Sequence, residues 1–470
     1  MVSIETSRSV IVESRLGNGK TIFLYLAFLD LAERGYSCFM FRSASPTLEQ
    51  ELDALRSIDK LVIMFDDYAS SQDVIGKIRD ALPNAKFIIE IRSSILAVRF
   101  HEISQGVPKP YARINLNKLS REDARSFVNL CEKAGISTAR LSKVRANVEL
   151  RDLLLELLES PHIRERVEIT LRPIFGARKK RQVLLIAMLF GRFHLTTDAG
   201  FVRAVTGVDP YHEFGELQEL ADELFQMDLE NFRVRSAVFA YFAVRYFLNP
   251  QEMSDTVVEA ALASAERKAD RLYRIRMSNL MQYSNLAELF RNEVNAADII
   301  IRIYERLRHD RRLDDEPLFW LQYAIAVTEG RELVLAEQFI QTAYDRAARL
   351  RGFRTYQIDT QACRIVLLIE TEAPVGSPVV RIQDILEKLE LLDMMLGEES
   401  HREFVIRVLE YVAPFVERRR SDLTLPERTA LTFWLSRLSD TLKNLPAEYR
   451  ATTGSDLVKA KLDAAKQLLL

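Results

Sequence analysis

The sequence predicts a multidomain protein in which an N-terminal α/β domain, built on a parallel β-sheet, is followed by domains that are almost entirely helical. Apolar strand-like runs alternate with helical patterns between residues 9 and 114, which is typical of a parallel sheet with right-handed crossovers. From Pro250 onward nearly every segment has the apolar spacing of an amphipathic helix. A chain of 470 residues can hold about two to four such domains.

The composition indicates a globular protein without a dominant charge. Hydrophobic residues make up 48% of the chain, charged residues make up 28%, and the formal net charge is −2. No overall field therefore favours a nucleic-acid partner. No apolar stretch reaches the roughly 18 residues of a membrane span, and three dispersed cysteines indicate thiols in a reducing compartment. We expect a cytoplasmic protein that enters no membrane and makes no use of nucleic acid.

The N-terminal domain is expected to contain five strands and the helices that connect them. Buried parallel strands read as short, continuous apolar runs, and the connecting helices carry apolar residues at helical spacing. The predicted strands start at Ser9, Gly35, Leu61, Phe87 and Tyr111, and the predicted helices cover residues 22–32, 47–57 and 72–82.

A loop rich in glycine follows the first strand. Residues 9–21 read Ser-Val-Ile-Val-Glu-Ser-Arg-Leu-Gly-Asn-Gly-Lys-Thr, close to the phosphate-loop pattern G-x-x-x-x-G-K-[ST]. The pattern is incomplete because Ser14 stands at the first glycine position. An ordinary loop with a surface lysine is the alternative, but the strand before the loop and the helix after it favour a phosphate-binding loop.

Each residue type in this loop suits the binding of a nucleotide. Gly17, Asn18 and Gly19 would let backbone N–H groups approach and wrap the phosphates. Lys20 would reach the β- and γ-phosphates, and the Thr21 hydroxyl would bind Mg²⁺.

Two acids end the third predicted strand. The apolar run Leu61–Phe65 is followed directly by Asp66 and Asp67, as in a Walker B strand, which is buried and presents carboxylates at its end. Asp66 would coordinate Mg²⁺ through water, and Asp67 would act on the attacking water. A simple turn after a core strand is the alternative.

The fourth predicted strand ends in a basic residue, Arg92. Ligands of open α/β sheets lie beyond the carboxyl ends of the strands, so Arg92 would face the same crevice as Lys20 and Asp66 and could sense a γ-phosphate. A solvated arginine at a strand end is the alternative. Glu90 shares the face of Arg92 by strand alternation, and either pairs with Arg92 or is a second polar group of the site.

Residues 117–255 are expected to form two smaller domains. Ser120, three residues before Asp123, indicates a capping-box start for a helix over 119–130. Further along, three helices and a small ribbon are the components of a winged helix. Its segment Phe201–Thr206 contains a single arginine, so we expect a role within the molecule and not DNA binding. The predicted helices cover residues 181–191, 197–206, 213–227 and 237–248, and the predicted strand covers residues 231–235.

The C-terminal part carries the spacing of a helical repeat. Trp320 and Ala324 suit the first helix of a tetratricopeptide-like hairpin, Gly330 its turn, and Ala336 and Ala343 its second helix. Stacked repeats present long concave surfaces that suit a protein or peptide partner. A helical bundle without a partner is the alternative.

Together these motifs resemble the STAND class of P-loop NTPases, the signal-transduction ATPases with numerous domains, and in particular bacterial members associated with antiphage defence. The resemblance covers the order of parts over about residues 9–350. It rests on Gly17-Asn-Gly-Lys-Thr21, on Asp66-Asp67, on Arg92, on the helix start at Leu119-Ser120 and on Phe232-Arg-Val-Arg235.

The resemblance implies four domains. They are a P-loop NTPase core over residues 1–116, a helical domain over 117–171, a winged-helix-like domain over 172–255 and a tetratricopeptide-like α-solenoid, acting as the sensor, over 256–470.

The resemblance also implies roles and cofactors. Lys20 and Thr21 would be the phosphate and Mg²⁺ ligands, Asp66 and Asp67 the Walker B pair, and Arg92 the nucleotide-sensing arginine. ATP or ADP with Mg²⁺ would be bound. Members of the class usually carry an effector domain before the first strand, where only eight residues stand here. The effector is therefore expected on a missing part of the chain or on a separate chain.

A molecular switch is the expected function. ATP would stabilise an open form that oligomerises, ADP would hold a closed monomer, and a protein partner bound by the helical repeats would bias that equilibrium through its differential affinity for the two states. Hydrolysis would be slow. A non-hydrolysing interaction scaffold with a decayed NTPase fold is the alternative, and Ser14 favours it.

Overall fold

The computed structural model describes most of the chain and divides it into two compact units, Met1–Thr256 and Val257–Leu470. Apart from isolated positions, it describes residues 6–14, 20–41, 47–66, 68–92, 106–133, 177–193, 197–214, 225–227, 232–234 and 249–470, the last range without 292, 400, 447–449 and 451–453.

A five-stranded, entirely parallel sheet organises the start of the first unit, which confirms the prediction of an α/β fold. The strands are β1 (Ser9–Ser14), β2 (Ser37–Phe41), β3 (Leu61–Phe65), β4 (Lys86–Arg92) and β5 (Tyr111–Asn115). Their spatial order is β2-β3-β4-β1-β5, so that the first strand lies between the last two.

Helices cover both faces of this sheet. They are α1 (Lys20–Glu33) after β1, α2 (Leu48–Leu55) after β2 and α3 (Tyr68–Ala81) after β3. Helix α1 buries Leu24, Ala27 and Leu31 in an apolar core with Val12 and Ile88 of the sheet. We call this side of the sheet the α1 face.

The opposite face holds a separate core. Leu52 of α2 and Ile75 of α3 pack there with Phe65, Ile89 and Ile91 of the sheet. Because successive side chains of a strand point to opposite faces, each of the central strands contributes to both cores. Apolar runs such as Leu61–Phe65 are therefore buried along their whole length.

The helix after β5 starts as predicted. Helix α4 (Arg121–Lys133) follows Ser120, whose hydroxyl accepts a hydrogen bond from the Asp123 N–H at 3.0 Å, while the Asp123 carboxylate accepts one from the Ser120 N–H at 3.2 Å. This reciprocal pair is a capping box with Asp in place of Glu.

In the described residues after α4, the first unit has three helices and an antiparallel ribbon. They are α5 (Arg178–Phe193), α6 (Ala199–Thr206), α7 (Pro210–Phe214), β6 (Phe225–Met227) and β7 (Phe232–Val234). The N–H of Phe232 donates to the Thr197 carbonyl at 2.7 Å, and this bond joins the ribbon to the segment before α6. The predicted helix 237–248 lies outside the described residues, apart from Phe242.

The predicted helix 213–227 is wrong at its C-terminal end. Residues Phe225–Met227 are a strand that pairs with β7, with Phe225 opposite Val234 and Met227 opposite Phe232. Phe232 is fully buried. Cross-strand pairing with a buried partner therefore overrides the local helical spacing of these residues.

The second unit is helical throughout its described residues. Its helices are α8 (Pro250–Glu266, which begins in the first unit), α9 (Arg271–Met281), α10 (Tyr283–Leu289), α11 (Ala296–Leu307), α12 (Arg311–Asp314), α13 (Pro317–Glu329), α14 (Leu333–Ala347), α15 (Tyr356–Glu372), α16 (Ile382–Leu396), α17 (Arg402–Leu409), α18 (Val412–Arg419), α19 (Leu425–Lys443) and α20 (Ser455–Leu469).

Helices α13 and α14 pack against each other along their length. Ala324, Ala336 and Ala343 are all fully buried, and the Trp320 ring lies 5.3 Å from that of Phe339. Small residues therefore allow close approach of the two helices and aromatic rings fill the remaining space. The sequence pattern predicted this pairing, whereas the class of repeat stays a prediction.

Replacing Ala336 by Leu should overpack this hairpin. The added methylenes have no space at a fully buried position, so we expect a loss of about 1–3 kcal/mol in the free energy of unfolding. Val334 on the same helix is 70% exposed, and Val334→Leu is the matched control with little expected effect. Thermal unfolding of both variants measures the difference, and an unchanged Ala336→Leu protein would contradict the close helix contact.

A buried arginine ties one loop of the second unit to its helices. The Arg419 side chain is fully buried and donates to the Glu370 carbonyl at 2.7 Å, to the Ser377 carbonyl at 2.8 Å and to Asp422 Oδ2 at 2.9 Å. Asp422 Oδ1 in turn accepts from the Gly376 N–H at 2.9 Å. The guanidinium therefore joins α15, the loop after it and the end of α18.

Candidate functional site

The carboxyl ends of three strands meet at one edge of the parallel sheet. Ser14, the last residue of β1, lies opposite Arg92, the last residue of β4. On the other side of β4, Phe65 of β3 lies opposite Ile89, and Asp66 follows Phe65 directly. The end of the strand before the predicted phosphate loop therefore lies next to the end of β4, which carries Arg92, and the end of β3, which Asp66 follows, lies one strand further along the same edge.

The connections between strands reverse their direction at this point. The helix after β1 leads past β4 and β3 to β2, whereas the chain after β4 leads past β1 to β5 on the opposite side. Ligands of open α/β sheets bind in the crevice outside the carboxyl ends of the strands where such a reversal occurs. The crevice beyond β1 and β4 is therefore the candidate site.

Helix α1 begins at this edge. β1 ends at Ser14 and α1 starts at Lys20, so residues 15–19 connect a central strand to a helix N-terminus. The first N–H groups of a helix have no partner within it, and the helix dipole places positive potential there. Both properties suit the binding of phosphate.

The structure locates the predicted site residues to different degrees. Asp66 is described in full and is half-buried directly after β3. The backbone of Lys20 and Thr21 forms the first turn of α1, and the backbone of Arg92 ends β4. Gly17, Asn18, Gly19 and Asp67 lie outside the described residues, and their roles stay predictions.

Glu90 is a buried acid of the same edge. Only 2% of the residue is exposed, although it lies two residues before the end of β4. The sequence left open whether Glu90 pairs with Arg92 or is a second polar group of the site. Its burial rules out a solvated surface position.

An ion pair beside the site was missed by sequence reasoning. Arg113 of β5 donates through Nε to Glu13 Oε2 at 2.7 Å and through Nη2 to the same oxygen at 2.5 Å. Glu13 is 5% exposed and directly precedes Ser14. The only sequence signal was an acid within an otherwise apolar strand. The pair ties the edge strand β5 to the strand that leads into the predicted phosphate loop.

The carboxylates at this edge fit Mg²⁺ better than a softer metal. Mg²⁺ takes oxygen ligands and is commonly held by one or two carboxylates together with phosphate oxygens. Within the described ranges no group of three or more His, Cys, Asp or Glu side chains could hold a metal ion.

In the part of the chain that the structure describes, no helix is both long and apolar enough to cross a membrane. No protein-family model matches the chain, and no curated protein is significantly similar to it. The function is therefore inferred from the motifs and from the arrangement of the strands.

Proposed function

We propose that this chain is a nucleotide-dependent molecular switch of the STAND class of P-loop NTPases, which binds ATP or ADP with Mg²⁺ at the carboxyl edge of its parallel sheet. The spatial order of the strands carries the proposal. Because β4 lies between β1 and β3, the carboxyl ends of β1 and β4 and the acid Asp66 after β3 lie along one edge of the sheet, which supports a single crevice for the residues that the sequence predicts. The sequence predicted a shared crevice only from the general behaviour of parallel sheets.

Each of these residues has a role in the proposal. Backbone N–H groups of residues 17–19 and of the first turn of α1 would hold the phosphates, and Lys20 would neutralise charge on the β- and γ-phosphates. Thr21 and Asp66 would hold Mg²⁺, which supplies charge neutralisation at the phosphates when bound. Arg92 would respond to the γ-phosphate and so distinguish ATP from ADP.

The helical parts would turn the nucleotide state into a signal. The bond between Phe232 and Thr197 and the packing of β7 against α5 support a winged-helix-like domain after the NTPase core. In such a switch, this domain and the helical domain before it would hold the nucleotide in the closed form. Loss of those contacts would permit oligomerisation.

The second unit is proposed as the sensor. Ion pairs join helices that are two apart in the chain, such as Arg346 of α14 with Asp314 of α12 at 3.0 Å and Arg364 of α15 with Glu329 of α13 at 2.5 Å. Ion pairs from one helix pair to the next favour a stacked, repeat-like array with a continuous surface for a protein partner. We place this switch in bacterial antiphage defence, with the effector on a further part of the chain or on a separate chain.

A non-hydrolysing interaction scaffold is the second candidate. Ser14 at the first glycine position of the loop favours it, because a side chain stands where the pattern has none. The two candidates differ in nucleotide binding and turnover.

Nucleotide binding to the purified full chain tests the proposal. We expect fluorescent analogues of ATP and ADP to bind saturably in the presence of Mg²⁺, and unlabelled ATP to displace them. Absence of binding of either nucleotide would reject the switch and favour the scaffold. Binding without any turnover would support a nucleotide-bound scaffold over a switch that resets itself.

Asp67→Asn should slow hydrolysis much more than it weakens ATP binding. Water-activating residues typically contribute about 100- to 10,000-fold to a rate, and the amide cannot take over a carboxylate's role as base. Turnover under saturating ATP and the dissociation constant of the ATP analogue give the two numbers. Asp59→Asn, an exposed acid before the other end of β3, is the control. Equal losses in both quantities would make Asp67 a metal ligand or a structural acid.

A further inference from the structure

The second unit carries a surplus of positive charge at one of its ends. Three stretches contribute to it, residues 266–274, 308–316 and 346–354. Together they contain eleven basic residues, ten of them arginine, against six acidic residues, although the formal net charge of the whole chain is −2. We call these three stretches the basic end.

Side-chain contacts hold the three stretches together. Lys268 Nζ donates to the Arg312 carbonyl at 2.8 Å and to Glu316 Oε1 at 2.9 Å. Arg346 Nη2 donates to both carboxylate oxygens of Asp314 at 3.0 Å. The middle stretch therefore contacts both of the others, and their charges belong to one surface.

The acids of the basic end are already paired with part of its cations. The pairs are Glu266 and Asp310 with Arg312, Asp270 with Arg267, Asp314 with Arg346, Asp315 with Arg349 and Glu316 with Lys268. Arg311 and Arg351 are exposed, and they make no ion pair within the part of the chain that the structure describes. These two guanidinium groups are thus available to an outside partner.

The opposite end of the unit shows no such surplus. Helices α13 and α15 begin beside the basic end and lead away from it, and Arg419 joins the loop after α15 to the end of α18. The stretches at this opposite end, 330–337, 372–381 and 418–427, contain five basic and five acidic residues. The positive charge is therefore a property of one end and not of the whole unit.

The composition of the basic end fits a protein partner better than a nucleic acid. Leu272 and Leu350, each beside an arginine, are 38% and 45% exposed, and arginine with apolar side chains is typical of protein interfaces. Interspersed carboxylates would repel a phosphate backbone. The aromatic residues of these stretches offer no platform for bases, since Tyr273 is buried and Phe353 is half-buried.

We infer that the basic end of the second unit binds an acidic segment of a protein partner, in which glutamates or aspartates are interspersed with apolar residues. Arginine suits such a segment because its planar guanidinium can bind a carboxylate through two hydrogen bonds. The inference rests on the proposed function, which makes this unit the sensor, and it adds the surface and the chemistry of what is sensed.

Fluorescence anisotropy of a labelled peptide tests the inference on the full chain. The probe is a short fluorescein-labelled peptide in which pairs of glutamates alternate with single leucines. We expect saturable binding that weakens as salt is added, because exposed charges are screened. The double variant Arg311→Glu/Arg351→Glu should bind about 10-fold or more weakly, since two attractive contacts become repulsive.

Arg418→Glu/Arg420→Glu is the matched control. It changes the net charge of the chain by the same amount, but both exposed arginines lie at the balanced end, so the peptide should bind as it does to the wild type. Thermal unfolding checks that both double variants are folded. If Arg311→Glu/Arg351→Glu does not fold, Arg351→Gln alone should weaken binding by about 2- to 5-fold, and wild-type affinity in that variant would reject the inference.

Three outcomes would overturn the inference. They are absence of peptide binding to the wild-type chain, equal losses in the two double variants, and tighter binding of a fluorescent single-stranded oligothymidylate at the same salt concentration. The last result, if Arg311→Glu/Arg351→Glu abolishes it, would make the partner a nucleic acid. A chain that binds the peptide but no nucleotide would instead reject the proposed switch and leave this surface in place.

Discussion

Lys20→Ala is expected to weaken nucleotide binding by roughly 10- to 100-fold without unfolding the chain. The backbone of Lys20 starts α1 at the carboxyl edge of the sheet, where its ammonium group would contact phosphate. A hydrogen bond to a charged group contributes about 1.5–3 kcal/mol, which corresponds to that range of affinity. The buried face of α1 is formed by Leu24, Ala27 and Leu31, so the substitution leaves the core intact.

Titration of the fluorescent ATP analogue measures this loss, and thermal unfolding checks that the variant is folded. Lys77→Ala removes an exposed lysine from α3, on the other face of the sheet, and should bind as the wild type does. Asp66→Ala should weaken binding in Mg²⁺ in the same experiment. Wild-type affinity in both Lys20→Ala and Asp66→Ala would remove the basis for a nucleotide switch.

Arg419→Met should destabilise the second unit by about 3–5 kcal/mol. The substitution keeps much of the aliphatic volume but removes the positive charge beside the buried Asp422 carboxylate and the donor to Asp422 Oδ2 and to two carbonyl oxygens. Removing one partner of a buried charge pair has a cost of this size because the other charge stays buried and uncompensated. The loop around Ser377 would lose its attachment at the same time.

Urea unfolding followed by tryptophan fluorescence is the appropriate measurement. Both tryptophans of the chain, Trp320 and Trp434, lie in the second unit, so the signal reports on that unit. Arg418→Met replaces the exposed neighbour and should change the free energy of unfolding by no more than about 0.5 kcal/mol. Similar curves for the two variants would show that the buried contacts of Arg419 contribute little.

The positions of the strands could be predicted from the sequence, but their order in the sheet could not. The apolar run Leu61–Phe65 is enough to predict a buried strand, and all five of its residues are buried in the structure. That β4 lies between β1 and β3 depends on pairings between residues far apart in the chain, such as Ser14 with Arg92. The spacing of apolar residues along the chain does not predict such long-range pairings. The candidate site could therefore be expected only from the general behaviour of parallel sheets, in which the carboxyl ends of the strands share one edge.

Long-range pairing also explains the two features that the sequence did not predict, a buried ion pair and a short strand. Glu13 and Arg113 are separated by a hundred residues, and neither has a local neighbour that would predict a buried ion pair. Residues Phe225–Met227 have a helical spacing with the preceding segment, and only their pairing with β7 makes them a strand. In the second unit, by contrast, Trp320 and Ala336 belong to consecutive helices, and there the local pattern predicted the contact.

The position of β1 within the sheet has a consequence for the order of folding during synthesis. Both neighbours of β1 come much later in the chain, since β4 ends at Arg92 and β5 ends at Asn115. At about 5–20 residues per second, the ribosome needs roughly 5–20 s after Ser14 to produce the last residue of β5. Until Arg92 has been made, β1 is an apolar segment without either partner strand, and until Asn115 has been made it still lacks one of them. The candidate site is thus among the last parts of the sheet to form, and nascent chains shorter than about 115 residues should be the ones that depend most on chaperones.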